Sequence, residues 1–175
     1  MRNFVLGVIL TLLVVFGGGY LYLATGFYNP SALPDPGKLE RSIAHLSLEA
    51  SVERRAPNQQ NPVQPTEDNL IAGARLYEQF CSDCHGGAKH RVSEFGRTFS
   101  PRVPQIINHI PRDPDANLYW TIKNGIKMTG MPYWSHIMSD NDIWKVVTFI
   151  KHSDKLPPRA QEEWHKTEHK ADHEH

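Results

Sequence analysis

The residues that could do chemistry stand together in one short segment. The chain has 175 residues and only two cysteines, and these lie in Cys81-Ser82-Asp83-Cys84-His85. Two thiols at this spacing can each form a thioether with a vinyl group of a porphyrin, and the histidine that follows can bind the iron. Both cysteines are then used, so no disulfide remains to stabilise the fold. The motif predicts one covalently bound haem, held by Cys81 and Cys84, with His85 as an axial ligand of the iron.

Two other kinds of site also use a Cys-x-x-Cys pair. A redox-active dithiol is expected after a strand in a βαβ unit, and no such pattern precedes Cys81. A structural zinc ion needs two further ligands, which His85 and His90 could provide only in a crowded arrangement. These alternatives are weaker than haem attachment but stay open at this point.

A haem that carries electrons usually has a second protein ligand, and a methionine paired with histidine raises its reduction potential. Met131 is the strongest candidate, because Gly130 and Pro132 flank it and would restrict its loop. Met128 on the same loop is the fallback. The remaining candidates are a methionine better suited to core packing and two histidines better suited to the surface: Met138, His109 and His136.

Three predicted helices would position these residues. Apolar side chains recur at helical spacing over residues 68–81, 115–125 and 139–155. Ser139 is a typical N-cap, and acidic residues follow it in the first turn of the third helix. Three short helices form too small an apolar core for independent stability. We therefore expect a buried porphyrin to complete the core.

Four sequence segments together resemble class I cytochrome c: residues 73–77, 81–86, 124–132 and 143–150. Their order, spacing and residue types match that family over nearly all of residues 66–158. The resemblance implies an all-α fold around one haem c, in which the first and last helices of the domain cross at Gly73 and Phe149.

The same resemblance implies the ligands of the iron. His85 and Met131 would be the two axial ligands, and the Pro104 carbonyl would accept a hydrogen bond from His85. Pro101 is a less favoured alternative for that carbonyl. The segment between Gly87 and Pro104 is longer and more basic than in minimal members of the family, so the resemblance predicts its geometry least well.

Residues 1–25 are predicted to anchor the chain in a membrane. Residues 4–24 are uncharged and largely apolar, and their number suits a helix that crosses a bilayer once. Arg2 lies before this segment, which places the N-terminus in the cytoplasm and the haem domain on the periplasmic side of the inner membrane. The alternative is a cleaved signal peptide, which is disfavoured because Tyr22 occupies a position that should be small.

The segments on either side of the haem domain are predicted to be accessory. Residues 26–65 form a polar linker in which Leu39, Ile43, Leu46 and Ala50 suggest a short amphipathic helix. That helix would either lie on the haem domain or dock to a larger complex. Residues 159–175 are charged, and we expect a disordered tail that contains four histidines able to collect metal ions: His165, His169, His173 and His175.

These features predict an electron-transfer protein and not an enzyme in its own right. The net charge is zero, and nothing indicates binding to nucleic acid. Basic residues outnumber acidic ones along the segment that flanks the haem motif, and they could steer acidic redox partners: Lys89, Arg91, Arg97, Arg102, Arg112, Lys123 and Lys127, against Glu94, Asp113 and Asp115.

Three roles are consistent with such a protein. The first is a membrane-anchored carrier between redox proteins in or at the membrane. The second is a fixed haem subunit of a larger membrane oxidoreductase. The third, a haem-based sensor or peroxidase, would require that Met131 does not bind the iron.

Overall fold

The structure is a computed structural model that describes residues 1–88 and 90–170. Every regular element in these ranges is a helix, which agrees with the all-α fold class that the sequence predicts. The chain divides into two compact units, Met1–Ser31 and the residues from Ala32 onward. Besides a short 3-10 helix at Gly96–Thr98, the elements are α1 Arg2–Ala24, α2 Lys38–Arg55, α3 Glu67–Phe80, α4 Ser82–His85, α5 Asp115–Asn124, α6 Asp140–His152 and α7 Pro158–Lys170.

The first unit consists mainly of α1. This helix has 23 residues, none of them buried, and carries no charged side chain after Arg2. In the described part of the chain it is the one helix long enough and apolar enough to cross a membrane. A signal sequence would have the same length and composition, so the helix alone does not distinguish the two.

The centre of the second unit is the crossing of α3 and α6. Tyr77 of α3 and Phe149 of α6 are completely buried, and their ring centroids lie 5.3 Å apart. Gly73 makes this approach possible: a Cβ atom there would overlap the carbonyl oxygen of Lys145 and lie 2.9 Å from Cβ of Phe149. The predicted crossing at Gly73 and Phe149 is therefore confirmed.

Two further contacts complete this core. Tyr119 of α5 stacks on Trp144 of α6, with ring centroids 4.1 Å apart and planes within 5° of parallel. On the N-terminal side, Asn61 donates a hydrogen bond from Nδ2 to Oγ1 of Thr148 at 3.0 Å, and Val63 is buried. The sequence prediction placed the start of the domain at residue 66, but the folded core begins a few residues earlier.

The prediction of a disordered tail is wrong for residues 159–170, which belong to α7. Ala160 and Trp164 are buried one helical turn apart, and the Trp164 ring meets Phe149 edge to face at 4.9 Å. Arg75 of α3 also pairs with Glu163 of α7 at 2.8 Å. The sequence did not predict this helix because the segment contains few apolar residues. Two of them, one turn apart, are enough to attach the helix to the domain. His173 and His175 lie outside the described residues.

Replacing Trp164 with Phe should weaken the attachment of α7. The indole nitrogen donates a hydrogen bond to Oε2 of Glu78 at 3.1 Å, and Phe cannot replace it. A hydrogen bond to a charged group is worth about 1.5–3 kcal/mol, and we expect the free energy of unfolding to fall by about that amount. Denaturant titration measures the loss. Glu162→Gln is the control on the same helix, because its ion pair with Lys166 is exposed. An equal loss in both variants would contradict this account.

The amphipathic helix predicted within the linker forms as α2. Of the two placements that the sequence left open for its apolar stripe, packing on the domain is not observed, since Leu39, Ile43 and Leu46 are 74%, 59% and 69% exposed. Its contact with the rest of the domain lies near its C-terminal end, where Val52 is buried. With about 3.6 residues per turn, Val52 lies on the side of the helix away from the stripe. The stripe therefore does not pack against the rest of the domain.

Candidate functional site

The Cys-x-x-Cys-His segment is one tight helical turn that follows α3 directly. Cys81 ends α3, and its carbonyl oxygen accepts hydrogen bonds from the backbone N–H groups of Cys84 at 3.2 Å and His85 at 2.9 Å. The two thiols and the imidazole are thus carried on a single turn. Gly86 ends it with a φ of 81°, and a side chain there would overlap the backbone of Arg91.

A buried tyrosine attaches the end of this turn to the core. The Tyr77 hydroxyl donates a hydrogen bond to the carbonyl oxygen of Gly86 at 2.7 Å. Burial strongly raises the pKa of Tyr77, so the hydroxyl keeps its proton and acts as a donor. The residue that packs against α6 therefore also fixes the segment after His85.

His85 is held in the orientation that a metal ligand requires. Its Nδ1 atom donates a hydrogen bond to the carbonyl oxygen of Pro104 at 2.8 Å, the pair that the resemblance implies. Burial lowers the pKa of His85, although the bond to Pro104 acts in the opposite direction. A neutral imidazole that donates from Nδ1 has its lone pair on Nε2, which is then available to a metal. Pro101 does not take this role.

Gln105 organises the longer segment between the motif and Pro104, and the sequence reasoning missed it. Its side-chain oxygen accepts a hydrogen bond from the backbone of Ser93 at 2.6 Å. Its side-chain nitrogen donates to the carbonyl oxygens of Cys84 at 3.1 Å and Val103 at 3.0 Å. One amide thus joins three backbone segments around His85. Only its position next to Pro104 could have suggested this role.

The loop that carries Met131 is closed by its own hydrogen bonds. The Ile126 N–H donates to the carbonyl oxygen of Met131 at 3.1 Å, and the Met131 N–H donates to Oγ1 of Thr129 at 3.1 Å. Gly130 lies directly against the Phe99 ring, where a side chain would collide. The loop therefore has few alternative conformations.

The other proposed sixth ligands are placed less favourably than Met131, which is half-buried and packs against the core. Met128 is 92% exposed, and its φ of 62° is unusual for a residue other than glycine. Met138 is a buried core residue, and the two histidines are exposed: His109 and His136. That Met131 binds the iron remains a prediction.

Cys81 and Cys84 form no disulfide with each other, and both are partly accessible. Burial, with Cys84 and Glu78 nearby, raises the pKa of Cys81 to about 12, and burial also raises that of Cys84. A structural zinc ion would need two further ligands beside this pair of cysteines. His90 is exposed, and in residues 1–88 and 90–170 no three His, Cys, Asp or Glu side chains are grouped to hold a metal ion.

This donor set fits a covalently bound haem. It has two thiols and one oriented imidazole on a single turn, with a thioether on a restricted loop. Trp134, three residues after Met131, gives further support for a bound group at this site. Its ring centroid lies 5.5 Å from that of Phe80, the residue before Cys81. Within the described residues, Nε1 of Trp134 is the one buried side-chain nitrogen or oxygen without a hydrogen-bond partner. Buried polar groups rarely lack a partner in a complete structure.

The positive charge of the predicted basic surface is partly neutralised by ion pairs. Arg97 pairs with Glu94 of the same segment at 3.1 Å. Two further basic residues pair with acidic residues outside the segment: Arg102 with Asp35 at 3.5 Å, and Lys123 with Asp140 at 2.7 Å. Lys89 is outside the described residues. That this surface steers acidic redox partners therefore remains a prediction, and it depends on fewer unpaired basic residues than the sequence contains.

Comparison with known proteins supports the same interpretation. Residues 68–150 match the family model described as cytochrome C oxidase, cbb3-type, subunit III. The matched range contains the whole motif, the Met131 loop and most of α6. No curated protein matches the chain.

Proposed function

Residues 68–150 form a c-type cytochrome domain, and we propose that the chain as a whole is a membrane-anchored, single-haem cytochrome that passes single electrons between redox proteins. The observation that carries this proposal is the hydrogen bond from Nδ1 of His85 to Pro104, directly behind the Cys-x-x-Cys-His turn. If Nε2 binds iron, this bond fixes the tautomer and the orientation of the imidazole ring.

Each residue of the site then has a defined part. Cys81 and Cys84 would hold the haem covalently, and His85 and Met131 would bind its iron. The bound haem supplies an iron that accepts and gives up one electron at a time. Pro104 keeps the imidazole oriented and increases its basicity, since a hydrogen-bonded histidine is a stronger ligand. The closed Met131 loop would keep the thioether in place against the iron, so that small molecules could not bind there.

The anchor is proposed for α1. Its 23 residues, uncharged beyond Arg2, reach across a bilayer, and Arg2 favours the cytoplasmic side for the N-terminus. The c-type domain would then lie on the periplasmic side of the inner membrane. A carrier held in this way diffuses in two dimensions and meets its donor and acceptor at the same surface.

A carrier should exchange electrons and turn over no substrate. We expect the reduced protein to bind no carbon monoxide at neutral pH and to have negligible peroxidase activity, because His85 and Met131 would both bind the iron and leave no site for a small molecule. The membrane fraction should retain the protein after a high-salt wash, and intact mass should include residues 2–24. Rapid carbon monoxide binding would favour the sensor or peroxidase role. A mature N-terminus near Thr25 would exclude the anchor.

The family match favours a second role, a fixed subunit of a larger oxidoreductase, because the matching model is described as an oxidase subunit. Extraction in a mild detergent separates the two. A carrier should purify alone, whereas a subunit should purify with other chains in constant proportion.

A further inference from the structure

The exposed stripe of α2 has the spacing of a coiled-coil seam. Leu39, Ile43, Leu46 and Ala50 are separated by four, three and four residues, so they alternate between the d and a positions of a heptad. A stripe limited to a and d positions is narrower than the apolar face of a helix that packs on a globular core. All four residues are exposed, and the domain is packed against another side of the helix.

We propose that this stripe pairs with the same stripe of a second copy of the chain, as a short parallel two-helix seam. The residue types point to this arrangement, because Ile at a with Leu at d favours two parallel strands. The seam has Leu39 and Leu46 at d positions and Ile43 at an a position between them.

Charge complementarity supports a second copy as the partner. In a parallel pair, a residue at g faces the e residue of the next heptad on the other helix. Here Glu49 occupies g and Arg54 the next e, so each copy offers an acid to the arginine of the other. The earlier pair, Ser42 and Ser47, is uncharged. Both Glu49 and Arg54 are exposed. Oε2 of Glu49 lies 3.1 Å from Nδ1 of His45 on the same helix, and this exposed contact would be exchanged for the arginine of the other copy.

The charges also disfavour a bilayer as the surface that covers the stripe. Helices that lie on membranes have a broad apolar face bordered by Lys and Arg. The stripe of α2 is instead narrow and is bordered by Glu40, Ser42, Ser47 and Glu49. It also ends at Glu53, which occupies the next d position.

The rest of the domain leaves room for this pairing. Leu48 is half-buried and Val52 is buried, and they occupy the f and c positions, away from the seam. A second helix could therefore approach the stripe without displacing the contact between α2 and the domain. The haem site would be unaffected, since none of its residues lies on α2.

The seam is short, and its strength rests on the proposed anchor. Isolated helices of fewer than about 12–15 residues are marginal in water, and the stripe covers only residues 39–50. Two chains held in one membrane by α1 would meet at a much higher effective concentration and in the same orientation. We therefore expect the pairing in membranes and only weak association of a fragment without α1.

Cysteine cross-linking in isolated membranes tests the proposal. Leu46→Cys places two thiols opposite each other in the parallel seam, and mild oxidation should give a haem-stained band at twice the mass. Ala44→Cys is the matched control, because Ala44 is also exposed but occupies the b position away from the seam. The dimer band should be at least tenfold weaker for Ala44→Cys. It should also fall at least tenfold when Ile43→Lys is added to Leu46→Cys.

A charge exchange in the Leu46→Cys background identifies the partner. Adding Glu49→Arg should reduce the dimer band several-fold, and adding Arg54→Glu as well should restore it, because each copy then offers the reversed pair. Cross-linking of the Leu46→Cys variant to a different protein, equal cross-linking of the two cysteine variants, or no rescue by the double exchange would overturn the proposal. The proposed anchor is tested separately: release of the unaltered protein from membranes by a high-salt wash would contradict the anchor and would not by itself contradict the pairing.

Discussion

Met131→Ala should remove the near-infrared thioether-to-iron band of the oxidised protein and lower its reduction potential by on the order of a hundred millivolts. Axial ligands set haem potentials over a range of roughly 0.8 V, and the loss of a thioether favours the oxidised state. The vacant position should then bind carbon monoxide in the reduced protein. Optical spectra and potentiometric titration of the two proteins measure all three changes.

Met128→Ala is the control for this prediction. Met128 is on the same loop but is 92% exposed, so the variant should keep the band and a potential close to that of the unaltered protein. Loss of the band in Met128→Ala and its survival in Met131→Ala would show that the other methionine binds the iron. Survival of the band in both variants would mean that neither does.

Gly73→Val should strongly destabilise the domain. Its side chain would occupy the space of the Lys145 carbonyl group and of Phe149, both in the middle of α6. Overpacking usually costs about 1–3 kcal/mol, and a collision with backbone is relieved less easily than one with a side chain. We expect a loss of at least about 3 kcal/mol, a large fraction of the roughly 5–15 kcal/mol that stabilises a typical domain. Denaturant titration of the haem-loaded protein measures it.

Gly37→Ala is the matched control, because nothing lies within 4 Å of a Cβ atom at that position. If Gly73→Val accumulates no folded protein, Gly73→Ala can be measured in its place, and it should still unfold well before Gly37→Ala. Equal stability of Gly73→Ala and the unaltered protein would show that α3 and α6 do not cross as closely as described.

The sequence predicted the parts of the molecule that depend on local pattern. The helices around Tyr77 and Phe149 have strong apolar periodicity, and Ser139 accepts a hydrogen bond from the backbone of Asp142, as an N-cap does. The hydrogen bond between His85 and Pro104 could be anticipated because it belongs to a recurrent family arrangement. These features need only a short stretch of sequence or a resemblance to be recognised.

The features that were missed depend on contacts distant in sequence. α7 is attached to α3 through Trp164, whose partner Glu78 lies 86 residues earlier. The apolar stripe of α2 was recognised from its periodicity, but periodicity does not tell whether such a face is covered by the same domain. Gln105 joins three backbone segments, and a single polar residue carries no pattern that would reveal this.

Intact mass of the full-length protein under denaturing conditions tests the central claim most directly. If Cys81 and Cys84 hold the cofactor, the mass should exceed that of the polypeptide by one haem, and denaturation should not remove it. Replacing both cysteines with Ala should leave the polypeptide alone and abolish haem staining in gels. An unmodified mass in the native protein, or haem that separates on denaturation, would contradict the account.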